Sequence, residues 1–203
     1  LKPGQRMTVE SLLEFILIYS ANDACFAVVQ LFSENIDDFL NLMNKKARVL
    51  GMNNTNFKNP DGLDEEGHFT TLNDLLILSK EVINNYELLS IIMRQSFISN
   101  IDGEDKVYLN TNKLIDRNFY GLKTGWTDNA GLTFIGLNQS NGRNILTIVN
   151  KSFVNEKMDN HFIDTQNLYT TSIDTYVNNV VIDTNTDIYI IRNSSDTLTL
   201  KLI

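Results

Sequence analysis

Three observations predict an α+β fold, with helices packed on an antiparallel sheet. Apolar residues recur at helical spacing through most of residues 1–94, and paired strand-like runs then flank turn dipeptides. After a last helix-period stretch, residues 178–203 become rich in Val, Ile and Thr.

Val9, Leu12, Leu13, Ile16 and Leu17 fall on one helical face, with Thr8 as N-cap, Glu10 in the first turn and an end near Ser20. A second helix is predicted in "NDACFAVVQLF", capped by Asn22 or Asp23. A third, "IDDFLNLMNKKARVLG", closes on basic residues and Gly51. Residues 53–70, "NNTNFKNPDGLDEEGHFT", carry turn residues without either period and read as a long ordered loop. Such loops inside compact domains are usually functional or tightly packed. Thr71 to Asn85 reads as a helix with Leu72, Leu75, Leu76, Ser79, Val82 and Ile83 inward, followed by a shorter one from Tyr86 to Arg94. "SFIS" and "KVYL" flank Asp102-Gly103, and "LTFIGL" and "NILTIV" flank Asn141-Gly142, two hairpin signals. Phe119 to Thr124 supplies a third strand beside the second hairpin. Asp159 to Tyr176 reads as helix, and the composition shift near residue 178 divides residues 1–178 from a β-rich segment, 179–203.

Composition removes several functional classes. The formal charge is −8, from 25 acidic against 17 basic residues, and no basic stripe forms, so nucleic acid is not an expected partner. The apolar run Phe15 to Tyr19 is far shorter than the ~20 residues that span a bilayer. One cysteine, Cys25, and two distant histidines, His68 and His161, match no metal-ligand spacing, so no metal is expected. Cys25 is read as a small apolar packing residue, His68 as a loop residue facing solvent. The acidic "DGLDEEG" lacks the alternating ligands of a calcium loop. The chain opens on Leu1 without a methionine and is read as a segment of a longer protein.

Two short stretches carry chemistry. In "YGLKTGWTDNAG" Lys123 supplies a fixed positive charge, Thr124 and Thr127 supply hydroxyls, and Gly125 leaves room for a peptide to pair with the strand edge. That set suits a peptide-like anion. In "YSANDAC" Ser20 and Asn22 lie on a short link between helices, where a hydroxyl can relay a proton and an amide can bond a carbonyl and a lysine. Each stretch alone also has an ordinary reading, a turn and a helix cap, and Ser33-Glu34-Asn35 repeats the S-x-N pattern by chance.

Their order is more specific than either stretch. S-x-N, about a hundred residues, then K-T-G-x-T-x-x-A-G resembles the penicillin-binding protein and serine β-lactamase superfamily, and within it the low-molecular-weight D-alanyl-D-alanine carboxypeptidases. The blocks "LKPGQRMTVESLL", "SANDACFAVV", "ARVLGMNNTNFKNPDGLDEEGHFTTLNDLLILSKEVI", "NTNKL" and "GLKTGWTDNAGLTFIG" follow the family's order over residues 1–178. The resemblance implies the β-lactamase/transpeptidase-like architecture. It also implies a serine-type carboxypeptidase that removes terminal D-alanine from peptidoglycan stem peptides through an acyl-enzyme, without a cofactor. By resemblance Ser20 and Asn22 take part in proton shuttling and in positioning the acyl group. Lys123 holds the substrate carboxylate and organises Ser20; Thr124 and Thr127 hydrogen-bond the carboxylate. The edge beyond Gly125 pairs with the peptide, and a backbone N–H near Trp126 contributes to an oxyanion hole. β-Lactams are the implied covalent inhibitors, and the implied location is outside the cytoplasmic membrane, reached through segments not in this sequence.

The departure is the nucleophile. The family attacks with the serine of S-x-x-K, and no serine of this sequence has a lysine three residues later. The arginine that the family often offers after the hairpin is also absent, with only Lys151 and Lys157 before Arg192. A serine β-lactamase and a non-catalytic cell-wall-binding homologue stay open as alternatives.

Overall fold

The structure is a computed structural model. It describes the backbone of residues 1–199 apart from 3, 102, 141–142, 176, 183–187 and 193–196, and side chains up to residue 173, with 140 and 143 also excepted. The turn read at Asn141-Gly142, Asp102 of the first turn and Tyr176 at the predicted helix end lie outside the described residues.

Helices come first. α1 (Val9–Leu17) is capped by Thr8, whose Oγ1 accepts from Ser11 N–H at 3.0 Å. Its buried side is Leu12, Glu14, Phe15 and Ile18, whereas Val9, expected inward, is exposed. The helix is only nine residues long, so its packing is decided by the aromatic contact at its C-terminal half: Phe15 meets Phe97 edge-on at 4.8 Å and Tyr108 at 4.9 Å. α2 (Asn22–Phe32) and α3 (Ile36–Leu50) follow, α3 ending on Gly51 in the left-handed conformation, φ 86°. α4 (Leu72–Ile83) and α5 (Tyr86–Ile92) complete the helical layer.

Leu72 and Leu76 of α4 are exposed, against expectation, while Asp74 and Ser79 are buried. Asp74 is turned toward the long loop, where its Oδ2 accepts from Asn54 N–H at 2.8 Å and Thr55 Oγ1 at 2.7 Å. Polar anchoring of that loop sets the rotation of α4. The loop is further braced by an antiparallel bridge between Asn56 and Phe69 and by Asn44, which bonds Phe57 N–H and C=O.

The strands form three antiparallel sheets among the described residues. β1 (Ser96–Asn100) and β2 (Asp105–Leu109) are the expected first hairpin and pack on α1. β3 (Lys123–Thr127), β4 (Gly131–Ser140) and β5 (Arg143–Ser152) form the second sheet in that order, with β3 at its edge. α6 (Asn160–Thr175) covers β4 and β5, burying Phe134 and Phe162 with Leu114 and Phe119. β3 therefore starts where the predicted strand ended. Phe119 to Leu122 do pair with β4, through a bridge to Asn138 and bonds from Tyr120 and Leu122 N–H, but Gly121 at φ 26° breaks the regular strand there. β6 (Val177–Ile182), β7 (Ile188–Arg192) and β8 (Thr197–Thr199) pair into a sheet of their own, as the β-rich composition indicated.

Candidate active site

Ser20 lies where α1 hands over to α2. The chain turns there through a left-handed serine, φ 64°, and Ala21 N–H donates back to Phe15 O at 2.9 Å. That conformation costs a non-glycine residue ~1–2 kcal/mol, and such residues cluster at functional sites. Ala21, extended at φ −77° and ψ 114°, is the N-cap of α2 and provides no side-chain hydrogen bond. Neither Asn22 nor Asp23 caps the helix, contrary to expectation, because the turn places both inside its first turn. Asn22 stays exposed. The chance S-x-N match behaves differently: Asn35 Oδ1 accepts from Asp38 N–H at 2.9 Å and caps α3.

β3 faces this turn. Lys123 Nζ donates to Ser20 Oγ at 2.6 Å and to Thr124 O at 2.9 Å. Burial pushes its pKa from 10.5 down to about 8, with Cys25 pulling the other way. The Cys25 thiol is itself pushed up, by burial first and then by Asp61, against the pull of Lys123. It therefore keeps its proton at neutral pH, which agrees with a packing role.

Thr124 Oγ1 donates to Thr111 Oγ1 at 2.7 Å, and Thr111 N–H donates to Ile18 O at 3.1 Å. Thr111 thus knits the lysine strand to the end of α1. A Cβ on Gly125 would stand 2.6 Å from Thr133 Oγ1 on β4, so the glycine is required inside the sheet, a reason not visible in the sequence. Trp126 is half-exposed beside it. Thr127 Oγ1 donates to Asp64 Oδ1 at 2.7 Å and accepts from Ala130 N–H at 3.0 Å, while Asp64 Oδ2 accepts from Asn129 N–H at 3.1 Å.

These groups enclose a cleft of about 380 Å³. Ser20, Asn22 and Cys25 line one side, Lys123 to Thr127 another, and Pro60 to Leu63 of the long loop a third. All residues expected at the site, Ser20, Asn22, Lys123, Thr124, Gly125, Trp126 and Thr127, line this one cleft. Thr111, Asp64 and the Pro60–Leu63 wall were missed. Asp64 and the Pro60–Leu63 wall lie in the long ordered loop and Thr111 in the block "NTNKL", neither of which says what it touches. No metal-binding cluster occurs among the described residues, and His68, partly exposed, packs edge-on against Phe57. Chemically, a cation at hydroxyl distance beside an edge strand can hold an anion and relay a proton.

Comparison with known proteins agrees with this geometry. Residues 1–154 match the D-alanyl-D-alanine carboxypeptidase family. D-alanyl-D-alanine carboxypeptidase DacF of Bacillus subtilis is 40% identical over 135 residues, covering 64% of this chain and 34% of the relative. DacC of Escherichia coli, of the same description, is 32% identical over 153 residues, covering 73% of this chain and 37% of the relative. The chain thus spans about a third of the length of these curated relatives. Among solved structures, a penicillin-binding protein of Listeria monocytogenes in its cefotaxime-bound form superposes with a TM-score of 0.72 at 30% identity, over 82% of this chain and 67% of that one. With the match covering most of the sequence and the lysine strand meeting the serine turn, the chain belongs to the D-alanyl-D-alanine carboxypeptidase family.

Proposed function

We propose that these residues form the substrate-holding part of a serine-type D-alanyl-D-alanine carboxypeptidase acting on peptidoglycan stem peptides outside the cytoplasmic membrane. The observation that carries the reading is the 2.6 Å bond from Lys123 Nζ to Ser20 Oγ, which joins the S-x-N turn and the K-T-G strand in one cleft. In this reading Lys123 attracts the terminal carboxylate, with Thr124 beside it. Ser20 passes the proton between nucleophile and leaving amine, and Asn22 bonds the acyl carbonyl. The edge of β3 pairs with the peptide, and a backbone N–H near Trp126 stabilises the developing oxyanion. The attacking serine comes from an S-x-x-K segment that these 203 residues do not contain. No helix among the described residues is long and apolar enough to cross a membrane, so anchoring would use other sequence. Residues 1–178 are read as one domain and 179–203 as the start of a β-rich second, in keeping with the separate β6–β8 sheet, although β6 begins at Val177.

The test is acylation of the full-length protein by a D-Ala-D-Ala peptide. Lys123→Ala is expected to slow it about 100-fold or more, since a charge aimed at the transition state is removed. Thr124→Ala should cost less, because it removes one hydroxyl, already shared with Thr111, and no charge. Negligible effects from both substitutions would reduce this stretch to an ordinary strand.

A further inference from the structure

Thr127 holds no hydrogen free for a ligand. An ionised carboxylate only accepts hydrogen bonds, so the 2.7 Å contact between Thr127 Oγ1 and Asp64 Oδ1 fixes the hydroxyl as donor toward Asp64. Its oxygen meanwhile accepts Ala130 N–H, and the second Asp64 oxygen is held by Asn129 N–H. A hydroxyl has a single hydrogen. A second carboxylate arriving at Thr127 therefore finds an acceptor and, beside it, the negative charge of Asp64. Lys123 is free of this conflict, because its ammonium has donors beyond those given to Ser20 and Thr124 O.

We infer that Asp64 sets the terminal-group selectivity of the cleft: it holds Thr127 as an acceptor, so that a ligand's carboxylate is bound through Lys123 and not through Thr127. The preference for a carboxylate over a neutral terminus is thereby held down. Asp64 is a positioning residue, acting on the ligand through Thr127. The inference rests on the peptide reading of the cleft given above, and it departs from the role that the motif alone gives Thr127.

Asp64→Asn separates this role from simple anchoring of the loop. Asn129 N–H needs an acceptor, so the new amide oxygen turns to it and the amide NH2 faces Thr127 Oγ1. Thr127 then accepts there, its hydrogen is released toward the cleft, and the loop stays tied. The experiment uses the full-length protein and two competitors of acylation by a fluorescent penicillin: an acetylated peptide ending in D-Ala-D-Ala, and the same peptide ending in a carboxamide. The ratio of their inhibition constants is expected to shift toward the carboxylate by about tenfold in Asp64→Asn, the worth of one charge-assisted hydrogen bond. Adding Thr127→Val should remove the gain, and Asp64→Ser should move the ratio in the same direction as Asp64→Asn. An unchanged or reversed ratio in both Asp64 variants, with the two peptides weakened alike, would mean that Asp64 only anchors the loop and would overturn the inference. A gain that survives Thr127→Val overturns it too. A wild-type protein that neither reacts with the penicillin nor binds either peptide sinks the functional reading, and the inference with it.

Discussion

Ser20 Oγ and Lys123 Nζ lie 2.6 Å apart across a sequence separation of 103 residues, with the amine partly withdrawn from water. Withdrawal makes the pair sensitive to pH, because burial holds the Lys123 pKa at about 8. A bound carboxylate favours the ammonium, so the ligand raises this pKa and binding weakens as pH climbs above about 8. In full-length protein, the acylation rate by a D-Ala-D-Ala peptide should fall by about tenfold per pH unit on that limb. A rate that stays level to about pH 10 contradicts the assignment of Lys123 as the carboxylate's partner. The folding consequence has its own sign. The folded chain disfavours a proton that the unfolded chain keeps to about 10.5, so the cost is complete below about 8 and is relieved between these values. Replacing Lys123 by Met should therefore stabilise the fold most below pH 8.

The two S-x-N stretches predict opposite outcomes. Asn35 caps α3 through Asp38 N–H, so Asn35→Ala is expected to cost about 1 kcal/mol of stability and leave acylation unchanged. Asn22 makes no capping bond, so Asn22→Ala should leave stability within about 0.5 kcal/mol while slowing acylation. Denaturant unfolding and acylation kinetics on both variants check this. Similar stability losses would return Asn22 to the role of a cap.

Gly125 offers a test of packing inside the sheet. Gly125→Ala puts a methyl 2.6 Å from Thr133 Oγ1, which should destabilise by about 1–3 kcal/mol as an overpacked site does. Thr133→Ala should recover most of the loss in the double variant, and Thr133→Val should recover little because a branched side chain of the same size remains. Equal rescue by alanine and valine would place the clash elsewhere.

What could be read from the sequence was local. Thr8, Gly51 and the strand pairs of the two hairpins are decided within a few residues, and the structure places them as expected. The strand lies later than the apolar pattern predicts, because Lys123 to Thr127 faces a cleft and carries no apolar alternation, while the apolar Phe119 and Leu122 sit in the irregular approach to it. The cap of α2 is Ala21 and not Asn22 or Asp23, because the left-handed Ser20 moves the helix start. The site's two halves were legible as motifs, but the bonds that join them span 103 residues for Lys123–Ser20 and 63 for Thr127–Asp64. The order of the two motifs pairs Lys123 with Ser20 by resemblance, whereas nothing in the sequence pairs Thr127 with Asp64. Asp64 in particular sat in an acidic loop whose local pattern pointed nowhere.

On the proposed reading, residues 1–203 hold the substrate while a serine outside them attacks it. Fluorescent penicillin labelling of the full-length protein, followed by peptide mapping of the adduct, tests this most directly. The expected result is one labelled serine, lying in an S-x-x-K segment outside these residues, with labelling slowed about 100-fold by Lys123→Ala. A stable adduct on Ser20 would contradict it, because Ser20 would then be the nucleophile and the Lys123–Ser20 pair its activating dyad.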